Sequence, residues 1–483
     1  MDCTFLGHQS WMVSEGNTAI LIDPLLNDSF GSGFEIYPPR KIMLDMMPTV
    51  DAIFLSHEHS DHFNIPSLCK LPRHTKVYVN ILMSSAVTKV LSECGFDVIR
   101  FDFNTPIEIG ALEILGFPAG VETVFWESRV TQLKISSIKT KKSFYLAIDS
   151  LISEDFVEQA YELDDIPDLF AVSNNSQIAP HGMPGSLDNC LIDDSNNQSK
   201  RGFIGVYILQ DILINYSELL GEMPNIAICG GGFMKRQDTC GPFHFSDQEE
   251  LGVIASALCP ETNIYGVTPG DKISIAEDGM EKSSADWIKL DEKRKVTLIE
   301  RRRKFLEENI PVKLKAVSSF HKPQKKLEDS IQYVYSSLNK MAQAIMLSKM
   351  GQTASKLIKH NNEPIDDHRI LFSFIVDDHS PMINFVLNFH AGVFEKIDSG
   401  ESYADQHYPF GIRFFLQDFV SVLAGSLQIW DLAGVSVKSW YVGSPFDSPI
   451  TFLYSYLGEN IQTDLAYKAY GKTLNHMKEQ KII

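Results

Sequence analysis

Residues 57 to 62 read His-Glu-His-Ser-Asp-His, which crowds three imidazoles and the Asp61 carboxylate into six positions. They follow Asp51-Ala-Ile-Phe-Leu-Ser56, an apolar run of β-strand character, so the cluster stands on the loop at one strand's end. His57 and His59 alternate by two and can point the same way, while Asp61 and His62 turn toward an adjacent point. Imidazole nitrogen and carboxylate oxygen are the ligands of zinc, iron or manganese. Two offset ligand pairs predict two divalent metal ions a few ångströms apart, the second served by Asp61 and His62. A solvated polar loop is the alternative, and it leaves the clustering of three histidines without a reason. Asp149 closes the apolar run Phe144-Tyr-Leu-Ala-Ile-Asp149. At a strand exit its two oxygens can bridge two ions.

The elements that must position these residues are legible as alternating patterns. Strands are expected at 17–21, 51–55, 76–80, 112–117, 143–147 and 168–172, with helices at 82–94 and 154–163 between them. Asn225 to Phe233 reads as a further strand ending in a glycine triplet. Without a following Gly-Lys-Ser/Thr, that triplet is a tight turn and no phosphate loop. From Ser283 to Asn309 the composition shifts to charged helix, including Glu300-Arg-Arg-Arg-Lys304. Leu327 to Lys349 carries Ile331, Val334, Leu338, Met341 and Ile345 at helical spacing. Strands at 371–376 and 383–389 then precede helical stretches at 414–424 and after Pro449. Gly185–Gln198 reads as a polar loop, and Asp377-Asp-His379 as a hairpin turn. The resulting division is 1–282 for a metal-binding catalytic domain, 283–360 for a charged and amphipathic helical linker, and 361–483 for a smaller α+β domain.

A net charge of −19 argues against a nucleic-acid partner, which wants clustered Lys and Arg. The seven cysteines contain no Cys-x-x-Cys pair and are expected as free thiols in a reducing cytoplasm. The first residues lack a basic stretch followed by an apolar one, so no signal peptide is expected. No apolar run is long enough to span a membrane.

Ser56-His-Glu-His-Ser-Asp-His62 after an apolar strand, with the later strand-Asp149, resembles the metallo-β-lactamase superfamily. Phe5-Leu-Gly-His-Gln-Ser-Trp11 and Ala19-Ile-Leu-Ile-Asp-Pro24 are similar to its N-terminal hairpins, where a strand-end Asp orients the metal loop. The resemblance implies an αββα four-layer sandwich with a dinuclear site at one edge of the sheets. His57 and His59 would ligate one ion, Asp61 and His62 the other, and Asp149 would bridge, with Asp61 and Asp149 serving catalysis. His8 would line the cleft. The superfamily supplies another histidine before the bridging Asp, and residues 75 to 180 contain none. Glu122, with Glu127 as the alternative, stands there instead, as in the di-iron β-hydroxylases of the superfamily. Such a carboxylate favours iron or manganese over zinc. The final histidine is missing around Tyr265–Lys272, where His181, His244 or Asp271 would replace it.

Ile36-Tyr-Pro-Pro39, Leu55 to Pro66, Ala179-Pro-His-Gly-Met-Pro184 and Asp418 to Asp431 resemble the CMP-N-acetylneuraminate hydroxylase-like branch. Those enzymes carry a Rieske cluster, which needs Cys-x-His and Cys-x-x-His pairs, and this sequence has neither. Oxygenase chemistry would then draw electrons from a separate protein. The expected function is a di-iron oxygenase acting on a small or carrier-bound metabolite. A zinc-dependent hydrolase of a lactone, ester or phosphodiester is the alternative, and a non-catalytic binding protein the third. A homodimer is left open.

Overall fold

The computed structural model describes residues 1–30, 34–121, 123, 129–173, 213–221, 225–230, 233–235, 247–307, 326–361, 369–377, 379–397, 408–429, 432, 438–443, 447–459 and 463–481. An eight-stranded sheet has the order Gly279–Ser284, Asp271–Ala276, Asp2–Gly7, Ser10–Glu15, Thr18–Ile22, Ala52–Leu55, Lys76–Asn80, Val98–Phe101. A seven-stranded sheet has the order Ile107–Ile109, Leu112–Pro118, Thr131–Ser137, Ser143–Leu146, Leu169–Ser173, Asn225–Cys229, Ile264–Gly266.

The two sheets face each other, and residue alternation decides which side chains lie between them. Ile20, Ile22, Ala52 and Phe54 of the first sheet meet Ile114, Leu133, Phe144 and Leu169 of the second in one buried core. Their neighbours Ala19, Leu21, Ile53 and Leu55 point outward instead. There they are covered by helices Ile65–Leu68, Ser85–Glu93 and Thr463–Glu479, through Leu68, Val87, Leu91, Tyr470 and Leu474. On the outer face of the second sheet, Phe117, Tyr145 and Phe170 pack on Phe156 of Glu154–Leu163 and Leu251 of Gln248–Leu258. This is the expected four-layer αββα sandwich.

The strands flanking the cleft run parallel. Thr18–Ile22 pairs in parallel with Ala52–Leu55, with Leu21 opposite Ile53. Ser143–Leu146, Leu169–Ser173 and Asn225–Cys229 are also mutually parallel. Parallel strands deliver all their C-terminal ends to one edge, and ligand sites gather at such edges.

Beyond the sandwich, Val393–Ile397, Ile383–Asn388, Ile370–Ile375, Phe410–Phe415 and Lys438–Tyr441 form a five-stranded mixed sheet. Ile370, Phe372 and Phe374 face helix Leu327–Leu347 through Val334, Leu338, Met341 and Ile345, while Leu371 and Val386 meet Trp440 on the opposite face. The long amphipathic helix is thus part of this core. The segment from 283 begins differently from the helix expected there: Gly279–Ser284 completes a strand, and Ile288–Leu290 pairs with Arg40–Ile42. Trp287 and Ile288 are buried among sandwich residues, which holds this stretch extended, and the charged helix starts at Glu292. Asp377 accepts backbone hydrogen bonds from His379 and Ser380, as a polar turn does. Residues 185–198 lie outside the described residues. Among the described residues, no helix is long and apolar enough to cross a membrane.

Candidate metal centre

Three strands of the first sheet hand a polar residue to the same edge. His8 follows Asp2–Gly7, Asp23 follows Thr18–Ile22, and Ser56 and His57 follow Ala52–Leu55. From the second sheet come Asp149, three residues beyond Ser143–Leu146, and Ser173, at the end of Leu169–Ser173. His8, Asp61, His62 and Asp149 each offer one donor atom, and these atoms all lie within 4.8 Å of one another. His8 Nε2 is 2.9 Å from Asp61 Oδ2, and His62 Nε2 is 3.0 Å from Asp149 Oδ2. Beside this group, His57 Nε2 and His59 Nδ1 face each other at 2.9 Å.

The layer behind these donors fixes which nitrogens present lone pairs. The buried Asp23 carboxylate accepts from Ser56 N at 2.8 Å and from Ser56 Oγ at 2.6 Å. It also sits 2.7 Å from His62 Nδ1. The Ser56 hydroxyl proton is therefore committed to Asp23, so at 2.9 Å Ser56 Oγ accepts from His57 Nδ1–H. In their neutral forms both rings therefore carry the proton on Nδ1, which turns His62 Nε2 to Asp149 and His57 Nε2 to His59 as the nitrogens a cation could take in place of a proton. Gln9 donates to Asp149 Oδ1 at 2.9 Å and accepts from the Cys229 thiol at 3.1 Å, which turns Oδ2 toward His62.

Backbone strain concentrates here. His8, Asp23 and Ile148 have φ of 54°, 44° and 56°. A β-branched residue in the left-handed region is rare, and such strain gathers at functional sites. At Ile148 it turns Asp149 into the cleft. Gly7 precedes His8 with φ of 122°, and its ideal Cβ would meet Arg40 Nε at 3.3 Å. The buried Arg40 donates to Leu6 O at 2.6 Å and Leu25 O at 2.5 Å, clamping that turn. Gly230, directly after Asn225–Cys229, serves the same end, since its N donates to His8 O at 2.8 Å.

The electrostatics ask for positive charge at the centre. Burial opposes ionisation of His62, but Asp149, Asp61 and Asp23 outweigh it and hold the ring well above its ordinary pKa. Burial likewise opposes charge on Asp149 and Asp61, and His62 first, then His8, brings both carboxyls below their usual range. His57 is driven the other way, well below the ordinary imidazole value, by burial and then by His62 and His59. Two carboxylates and two imidazoles converging in a buried cleft, with positive charge favoured between them, fit divalent cations.

The structure brings Asp61, His62 and Asp149 into one donor group with His8, and sets His57 and His59 beside it. Glu122, Glu127, His181 and His244 lie outside the described residues. Asp271 is elsewhere employed: it accepts from Thr268 N at 2.7 Å and pairs with Lys282 at 2.8 Å, a local turn with no share in the donor cluster. His8 is a donor within the cluster and more than a lining residue. Its signal in the sequence was a histidine directly after a strand-ending glycine.

Residues 18–147 match the beta-lactamase superfamily domain. Together with the αββα layers and the strand-end donor cluster, this defines the sandwich as a metallo-β-lactamase fold. A protein of Mycolicibacterium smegmatis, provisionally named a Rieske 2Fe-2S iron-sulfur protein, is 32% identical over 81 residues. Those residues are 17% of this chain and 14% of that protein, so the chain matches only a small part of its curated relative's length. Among solved structures, a possible metal-dependent hydrolase from Veillonella parvula aligns with TM-score 0.39 and 15% identity, over 56% of this chain and 98% of that one. The diiron β-hydroxylase CmlA from Streptomyces venezuelae aligns with TM-score 0.37 and 18% identity, over 59% of this chain and 54% of that one.

Proposed function

We propose that His57, His59, Asp61, His62 and Asp149, joined by His8, hold two divalent metal ions, and that the protein is a non-haem di-iron oxygenase of a small or carrier-bound metabolite. The observation that carries this reading is the donor half made of His8, Asp61, His62 and Asp149, two imidazoles and two carboxylates within 4.8 Å. Hard carboxylate oxygen in that proportion suits iron or manganese better than zinc. Ferrous ions bound there would supply the electrons and open positions that O2 activation needs.

The chain's own residues would do the rest. Asp149 presents Oδ2 inward while Gln9 holds its other oxygen. Asp23 and Ser56 keep the imidazoles of His57 and His62 in their ligating tautomers. Asp61 has the most exposed side chain of the four-residue cluster, at 20%, and is the group placed to exchange a proton with solvent or substrate. Reducing equivalents would come from a separate electron-donor protein.

The alternative is a zinc-dependent hydrolase, favoured by the all-imidazole pair His57 and His59. Metal analysis of anaerobically purified full-length protein separates the two. Iron at up to two per chain, with O2 uptake on reduction, is the expected result. Two zinc per chain, no iron and no O2 uptake would refute the oxygenase.

A further inference from the structure

Glu58 stands between two of the proposed ligands, His57 and His59, and takes no part in the donor group. Its side chain is 3% exposed and forms an ion pair with Arg129, whose side chain is 13% exposed. Arg129 belongs to the second sheet, two residues before strand Thr131–Ser137. The first residue of that strand grips the same loop, since Thr131 N donates to Ser56 O at 3.1 Å.

Glu58 is also held through its backbone, by the C-terminal helix Thr463–Glu479. The buried Tyr470 hydroxyl donates to Glu58 O at 3.3 Å, and the Tyr470 ring meets Phe63 edge-on at 5.1 Å. The helix is tied down on both sides of Tyr470. Tyr467 OH donates to Glu93 at 2.5 Å, and Lys472 donates to Ala424 O at 3.0 Å, at the end of Leu416–Leu423.

We infer that Arg129 and Tyr470 are positioning residues for the His57–His59 half of the centre, acting through Glu58. Arg129 holds the Glu58 side chain and Tyr470 holds its carbonyl, so the residue between the two imidazoles is fixed twice. Two histidines two positions apart present both nitrogens to one ion only while the backbone between them keeps one conformation. A loop already ordered does not lose that conformational entropy when the ion binds. A buried carboxylate is opposed by desolvation unless a cation meets it, and Arg129 is that cation here. His62 is steadied separately, with Nδ1 2.7 Å from Asp23 and Nε2 3.0 Å from Asp149. The inference rests on the reading that this loop binds metal, and it holds whichever metal the centre takes.

The test is chelator competition on the full-length protein, with Fe(II) under anaerobic conditions and in parallel with Zn(II), following the two ions separately. Glu58→Gln keeps the side chain's size and removes the charge that Arg129 meets. Tyr470→Phe keeps the ring on Phe63 and removes only the hydroxyl, and it serves if the first variant does not fold. Each should weaken the His57–His59 ion about 10- to 100-fold, the loss expected for an outer supporting partner, and leave the Asp61–His62 ion unchanged. Equal weakening of both ions, or no weakening in the folded variants, would overturn the proposal. Hydrogen–deuterium exchange of the metal-free protein reads the same restraint without any ion. Amides of residues 57–63 should exchange about 5-fold faster in Tyr470→Phe, as one lost hydrogen bond of ordinary net strength gives, with residues 85–93 unchanged. Equal rates over 57–63 in the natural protein and the variant would also overturn it. If the natural protein takes up neither metal, the proposed function fails, and the exchange measurement alone decides the positioning.

Discussion

Asp23→Asn isolates the layer behind the proposed metal ligands. The amide is isosteric with the carboxylate, and Asn tolerates the left-handed φ of 44° at this position as Asp does. Asp23 serves three donors: Ser56 N at 2.8 Å, Ser56 Oγ at 2.6 Å and His62 Nδ1 at 2.7 Å. In the variant one oxygen still accepts from Ser56 N, but an NH2 group now faces Ser56 Oγ and His62 Nδ1. Ser56 adapts by turning its hydroxyl, and it can still accept from His57. His62 cannot donate to an NH2 group. It is driven to the other tautomer, with its proton on the Nε2 that faces Asp149 at 3.0 Å. Loss of such a supporting partner weakens metal affinity about 10- to 100-fold, or about 1.4 to 2.7 kcal/mol at 1.36 kcal/mol per decade. The loss should fall on the ion held by Asp61 and His62 and spare the one held by His57 and His59. Anaerobic chelator competition, following the two ions separately, measures this. Equal weakening of both ions, or no weakening with the fold intact by circular dichroism, would refute the tautomer argument.

Four further outcomes are expected. His8→Ala should lower the metal content from two ions per chain toward one by elemental analysis, and an unchanged count would remove His8 from the ligand set. Tyr470 OH donates to Glu58 O at 3.3 Å from helix Thr463–Glu479; Tyr470→Phe should cost about 1 to 3 kcal/mol in denaturant unfolding, the penalty of an unsatisfied buried carbonyl. Leu474→Ala in the same helix, where Leu474 is 1% exposed, should cost about 2 to 5 kcal/mol, and a loss below 1 would mean that the helix does not close the outer layer. Alkylation of Cys69 in the reduced protein should rise through a midpoint near 7, as its thiol is lowered to about 7, so the thiolate is present above that pH and lost below it. A midpoint at or above the ordinary thiol value of about 8.5 would refute that lowering.

The local part of the site was legible because its ligands are close in the chain. His57 to His62 are neighbours at a strand exit, and the two-residue alternation that set their direction is a property of the strand itself. The αββα layering followed from the same rule, since Ile20 and Leu21 must point to opposite faces whatever covers them. The helices Glu154–Leu163 and Leu327–Leu347 were legible from their apolar spacing. Asp271 misled because a carboxylate standing where a histidine is expected reads the same whether it faces a metal or, as here, opens a strand, accepts from Thr268 N and pairs with Lys282. The stretch 283–290 misled because its charged residues, Asp286 in a turn and Lys289 on a strand, are both exposed, while Trp287 and Ile288 carry its packing.

By itself the sequence determined a candidate metal-binding loop at a strand end, a later strand-end Asp149, and the alternation that makes two sheets face each other. Only the tertiary structure decided which distant residues complete the centre. His8 meets Asp61 across 53 positions, Gln9 meets Asp149 across 140, and Tyr470 reaches Glu58 across 412. Those meetings depend on parallel strands ending at one edge and on a C-terminal helix returning to the outer layer. Side-chain periodicity fixes the face on which a residue lies, but sheet order and the path of the chain fix what stands opposite it.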